Sequence, residues 1–114
     1  MAVSPRGAKV AQKITQAQDD DSHMLDLSWC EIDDALLKQA TDVLPKSIFT
    51  QVWLNNNKLT DAGASALAAC CQEAPQLRKL WVNGNKIGDA GVSTLARALP
   101  TTSIDEFWSI GNPA

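Results

Sequence analysis

Leu80-Trp81-Val82-Asn83-Gly84-Asn85-Lys86-Ile87-Gly88-Asp89-Ala90-Gly91 reads as a short strand, a tight asparagine turn and the start of a helix. A close copy, Val52-Trp53-Leu54-Asn55-Asn56-Asn57-Lys58-Leu59-Thr60-Asp61-Ala62-Gly63, precedes it. A weaker copy opens at Leu25-Asp26-Leu27-Ser28-Trp29-Cys30-Glu31-Ile32, and a truncated one at Phe107-Trp108-Ser109-Ile110-Gly111-Asn112. Successive copies are offset by 27, 28 and 27 residues. Self-similarity at a fixed period of this size marks a solenoid, in which each unit buries its apolar face against its neighbours.

The parts of a unit recur in register. Leu25/Leu27, Val52/Leu54 and Leu80/Val82 stand two apart, the strand period that turns both residues of a pair to one face. Phe49, Leu77 and Ile104 precede the strands, and Ile32, Leu59 and Ile87 follow the turns. Cys30, Asn57, Asn85 and Asn112 share the turn position. A buried amide there satisfies loop N–H and C=O groups that no sheet ladder reaches, so these residues are expected to form a structural ladder. Cysteine is the weaker hydrogen-bonding group, and the first unit should be the less regular one.

Helices are expected over Asp34–Leu44, Asp61–Gln72 and Asp89–Leu99, each opened by an aspartate that accepts from free N–H groups of its first turn. Pro45, Pro75 and Pro100 stand where helices should stop. Expected core positions are Ala35, Ala40 and Leu44, then Ala62, Leu67 and Cys71, then Ala90, Leu95 and Leu99. Gly63 and Gly91 cost about 1 kcal/mol of helix propensity each, which close approach of helix and strand would repay.

Two regions follow from this pattern. Residues 1–21 form an N-terminal helix and an acidic linker, with Val10, Ile14 and Ala17 at helical spacing and Asp19-Asp20-Asp21 solvated. Such a helix closes the apolar end of a solenoid. Residues 22–114 hold three full repeats and the strand of a fourth. The open fourth repeat is expected either to associate with another chain or to continue in a longer protein, the second being preferred.

Leu77-x-x-Leu80-x-Val82-x-x-Asn85-x-Ile87 resembles the leucine-rich repeat family. The 27–28 residue period and the continuation into Asp-Ala-Gly resemble its ribonuclease-inhibitor-like subclass, which includes ribonuclease inhibitors, Ran GTPase-activating proteins and NLR repeats. The resemblance implies an α/β right-handed solenoid, with parallel strands on a concave face and helices on the convex one. It also implies a protein-binding role, with enzyme inhibition or GTPase regulation as sharper alternatives that no matched residue supports.

Residues between the paired apolar positions face away from the core, which puts Asp26, Trp53, Trp81 and Trp108 in one row across the strands. At a strand spacing of about 4.8 Å the three indoles should form a continuous ladder. Met24, Gln51, Lys79 and Glu106 flank them on one side, and Ser28, Asn55, Asn83 and Ile110 on the other. Exposed aromatics rimmed by polar groups suit a binding surface. The expected partner-binding set is therefore Asp26, Trp53, Trp81, Trp108, Lys79, Glu106, Asn55 and Asn83. A sugar-binding face and a purely packing role for the tryptophans are the alternatives.

Other chemistry has little to stand on. The net charge of -3 offers no basic field for nucleic acid or an anionic membrane, and no apolar run has the length of a span. The three cysteines follow no disulfide or zinc spacing, which fits a reducing, cytoplasmic setting. Cys70 and Cys71 are expected in the core, and His23 is the only histidine. No catalytic residue, metal ligand or cofactor is expected.

Overall fold

The computed structural model describes residues 4–113, so Met1–Val3 of the expected cap and Ala114 lie outside the described residues. Four short strands, β1 (Met24–Asp26), β2 (Gln51–Trp53), β3 (Lys79–Trp81) and β4 (Glu106–Trp108), form one sheet in chain order. Every neighbouring pair is parallel, and the register aligns Leu25 with Val52, Leu80 and Phe107. This is the α/β solenoid expected from the repeats.

Helix α1 (Pro5–Asp19) starts on Ser4, whose hydroxyl accepts from the Gly7 N–H at 3.0 Å, with Pro5 in the first turn where its missing donor costs nothing. Gly7, Val10 and Ile14 are its buried positions. Gln39 Nε2 donates to Gly7 O at 3.2 Å, tying α1 to the first repeat. Of the expected acidic linker, Asp19 is helical, Asp20 caps the helix end, and Asp21 turns the chain at φ 52°.

The first repeat departs most from expectation. Instead of a helix over Asp34–Leu44, only α2 (Lys38–Thr41) is α-helical, followed by a 3-10 turn at Leu44–Lys46. Asp33 Oδ1 accepts from the Leu36 N–H at 2.8 Å. After one four-residue bond from Leu37 N–H to Asp33 O, the bonds from Lys38, Gln39 and Ala40 reach back three residues. A local aspartate turn thus competes with helix nucleation. The tighter winding still buries Leu37, Ala40 and Leu44.

Helices α3 (Asp61–Gln72) and α4 (Asp89–Ala98) form as expected, α4 passing into a 3-10 turn at Leu99–Thr101. Their buried stripe runs through Gly63, Ala64, Leu67 and Cys71, and through Gly91, Leu95 and Ala98. Ala35, Ala62 and Ala90 are exposed and Leu99 is half-buried, which corrects the expected core. A five-residue step from Ala62 to Leu67 leaves the helical stripe, whereas the four-residue step from Gly63 stays on it.

The helix-opening aspartates act differently from expectation too. Neither α3 nor α4 has a side-chain cap of its own. Asp34 instead accepts from the Thr60 N–H at 3.0 Å and from the Thr60 hydroxyl, and Asp61 Oδ1 accepts from the Gly88 N–H at 2.7 Å. Each aspartate stitches its repeat to the next. The glycines make room for this stitch rather than for a strand: a Cβ on Gly63 would collide with Asp34 Oδ1, and one on Gly91 would lie 2.6 Å from Asp61 Oδ1.

Candidate interaction face

The paired leucines and valines hold the strands against the helices, so the alternate side chains stand on the open face of the sheet. The register brings Asp26, Trp53, Trp81 and Trp108 into one row, with Met24, Gln51, Lys79 and Glu106 beside it. Trp53 and Trp81 are half-buried, and their ring centroids are 4.9 Å apart at 44°. Such a tilted pair is a favourable aromatic contact.

The continuous three-indole ladder does not form. Among the described residues Trp53–Trp81 is the one aromatic pair in contact, and Trp108 is 42% exposed on the edge strand. Trp53 Nε1 donates to Gln51 Oε1 at 3.4 Å, and Trp108 Nε1 to Glu106 Oε2 at 3.3 Å. Trp81 has Lys79 at the equivalent place, which offers no acceptor. Its ring rests on Trp53 instead.

Lys79 Nζ lies 3.3 Å from Glu106 Oε1 and 3.8 Å from Asp105 Oδ1, while Arg78 Nη2 donates to Asp105 Oδ2 at 2.7 Å. The Arg78 hydrogen bond, aided by the charges of Arg78 and Lys79, holds the Asp105 carboxyl below the usual range. Asp26 Oδ1 accepts from the Ser28 N–H at 3.0 Å. The charged groups of this face are thus partly satisfied by one another.

Asn55 and Asn83 do structural work that the sequence pattern did not reveal. Asn55 Oδ1 accepts from the Asn83 N–H at 3.0 Å, and Asn83 Oδ1 from the Ile110 N–H at 2.7 Å. Ser28 Oγ serves the Asn55 N–H in the same way at 3.2 Å. Their carbonyl oxygens are spent between repeats, and the side-chain amide hydrogens are what they offer to a partner.

One layer deeper, Asn57 Oδ1 accepts from the N–H groups of Cys30 and Ile32, both at 3.0 Å, and its Nδ2 donates to Leu27 O. Asn85 Oδ1 accepts from Leu59 N–H, with Nδ2 donating to Leu54 O and Val82 O. Asn112 binds Ile87 N–H and Val82 O. Cys30 Sγ lies 3.4 Å from Ser28 O, a single weak bond in the same slot.

His23 contributes its backbone carbonyl to the Thr50 and Gln51 N–H groups. Burial pushes the Cys70 thiol up to about 11 and the Cys71 thiol to about 12, which keeps both protonated and poorly nucleophilic. Among the described residues no group of His, Cys, Asp and Glu is placed to hold a metal, and no helix is long and apolar enough to cross a membrane.

A family model described as Leucine Rich repeat matches residues 24–35, 50–68 and 75–96. No curated protein sequence matches the chain. A similar solved structure is that of leiomodin-1 actin-binding site 2, at a TM-score of 0.75 and 20% identity. The similarity covers 96% of this chain and 65% of that one, so the chain spans under two thirds of its neighbour's length.

Proposed function

We propose that this chain, a leucine-rich repeat protein by its three matched stretches, is a non-enzymatic module that binds a protein across the tryptophan row of its sheet. The observation that carries this reading is the Trp53–Trp81 pair, set in contact on the open face with Trp108 exposed beside it. Large apolar area at the centre of a polar rim is what a binding hot spot requires. Asp26, Lys79 and Glu106, with the amide hydrogens of Asn55 and Asn83, set polar specificity around the indoles.

The 27–28 residue period supports membership of the ribonuclease-inhibitor-like subclass, and the three unpaired thiols support a cytoplasmic location. The acidic net charge argues against nucleic-acid and membrane partners. The structural neighbour is an actin-binding site, which makes actin the first partner to try. Cosedimentation with purified actin should retain the wild-type chain and lose Trp53→Ala and Trp81→Ala variants whose melting curves show a folded protein. Equal retention of both variants would remove the tryptophan row as the contact surface. A wild-type chain that stays in the supernatant would remove actin, and a partner would then be sought by its loss of binding to the same two variants.

A further inference from the structure

The open face does not end at Asp26. Beyond it a cleft of about 240 Å³ lies between β1 and the last turn of α1, with Ala17 and Leu25 in its lining and Lys13, Asp20 and Asp26 as its charged groups. Small-molecule sites run to roughly 300–1,000 Å³, so this cleft suits one side chain of a partner lying on the sheet.

The cleft continues the tryptophan row. Asp26 is the register partner of Trp53, whose ring meets Trp81 on its other side. Ser22 occupies the ladder groups of Met24 on the neighbouring edge of β1: its hydroxyl donates to Met24 O at 2.8 Å and accepts from Met24 N–H at 3.2 Å. A further strand is blocked there, which leaves the cleft to a side chain.

Charge decides which side chain. Asp26 Oδ1 accepts from the Ser28 N–H at 3.0 Å, and Asp20 Oδ1 from Gln16 Nε2 at 3.1 Å, and both carboxylates keep their negative charge. Neither has a cationic nitrogen within 4.0 Å among the described residues. In the lining two carboxylates thus stand against one ammonium group, Lys13. Around it Asp19 adds to the carboxylates and Lys9, one turn before Lys13, to the cations, while Asp21 shares a neighbouring cleft with Lys46. The last turn of α1 holds no basic residue, and the partial negative charge of a helix C-terminus adds to the same sign. At the far end of the face the charges cancel instead, Arg78 and Lys79 against Asp105 and Glu106. A metal ion is the poorer occupant, since among the described residues no group of His, Cys, Asp and Glu is placed to hold one.

We propose that this cleft anchors an arginine of the protein partner, an assignment that rests on the tryptophan-row reading and adds a basic anchor to it. The apolar stem of the arginine lies along the Trp53 side of Asp26. Its guanidinium enters the cleft, where a planar fork of five donors serves the carboxylates of Asp26 and Asp20 together.

The test is selection of a displayed library of random peptides on the full chain, followed by titration of the enriched peptides against folded variants. Arginine should be enriched among the binders. Asp26→Asn, whose amide oxygen can still accept from Ser28 N–H, should weaken them about tenfold or more, and Asp20→Asn less. Glu73→Gln removes the same charge from the exposed end of α3 and should change affinity by less than about twofold. Replacing the peptide arginine by citrulline should weaken binding as Asp26→Asn does, and the two changes together should cost less than their product. A selection without binders, binders lacking arginine, or equal losses with Asp26→Asn and Glu73→Gln would overturn the anchor. Binders lost with Trp81→Ala yet indifferent to Asp26→Asn would overturn it too, and leave the tryptophan row standing. Binders lost with Asp26→Asn yet indifferent to Trp81→Ala would support the anchor and remove the row beyond Trp53.

Discussion

Asp61 Oδ1 stands 2.7 Å from the Gly88 backbone nitrogen of the following repeat, in space left open by the absent side chain of Gly91. The carboxylate at the start of one helix thus organises the start of the next. Asp34 and Gly63 repeat the arrangement one unit earlier, with Thr60 as donor. At Asp34 and Asp61, what the sequence reads as a cap within the repeat is a clasp between repeats.

Gly91→Ala should therefore destabilise the chain by about 1–3 kcal/mol, since its Cβ would meet Ile87 Cγ2 at 2.5 Å and Asp61 Oδ1 at 2.6 Å. Asp61→Ala alone should also be destabilising, through the N–H it leaves unpaired. Combined, the two should cost less than their sum, because removing the carboxylate relieves part of the collision. Urea titrations of the four proteins check this. Strict additivity would show that Gly91 accommodates Ile87 and not the clasp.

The asparagine positions should differ in weight with burial. Asn85 is buried and serves Leu59 N–H, Leu54 O and Val82 O, so Asn85→Ala should cost about 3 kcal/mol or more. Asn112 is half-buried at the outer repeat, where water can replace it, and Asn112→Ala should cost clearly less. Thermal melts of the two variants give the ranking. An equal loss would mean that the last repeat is packed as tightly as the interior ones.

The repeat period carried the topology because strand alternation and helix punctuation leave few other ways to bury Leu25, Val52, Leu80 and their partners. What escaped was contact between repeats. Asp61 reads locally as a cap, and only the placement of Gly88 shows which N–H it serves. Asn55 and Asn83 read as exposed polar positions, yet their oxygens belong to the neighbouring strand's turn. Ala62 and Ala90 were misplaced by one helical position. Trp29 aligns with Asn56 and Gly84, and that alignment with an asparagine and a glycine is a sequence mark of a left-handed turn position.

The Trp53–Trp81 contact should appear as coupling. A double-mutant cycle to alanine should return about 0.5–1.5 kcal/mol for this pair. The same cycle for Trp81 and Trp108, whose rings are not in contact, should return close to zero. Comparable coupling in both cycles would restore the three-indole ladder in solution.

Cys70 and Cys71 make stability fall at alkaline pH. Their folded-state thiols are raised to about 11 and about 12, by burial first, from an ordinary 9.0. The unfolded chain therefore releases these protons first as pH rises. Stability is whole below pH 9.0 and declines from there through the two folded values. Denaturant midpoints across this range should slope downward in the wild type and less steeply in a Cys70→Ala, Cys71→Ala chain. A slope unchanged by the double substitution would assign the alkaline loss to other groups.

Trp29→Asn should stabilise the chain, which is unusual for removal of a tryptophan. The side chain is 73% exposed, so little buried area is lost. The backbone sits at φ 60°, where asparagine is accommodated and a bulky residue is not, a difference of about 1 kcal/mol. Asparagine already occupies the aligned position at Asn56, with φ 57°. The melting temperature should rise by a few degrees. A fall instead would mean that the indole packs on the chain in solution and that this packing outweighs the backbone strain.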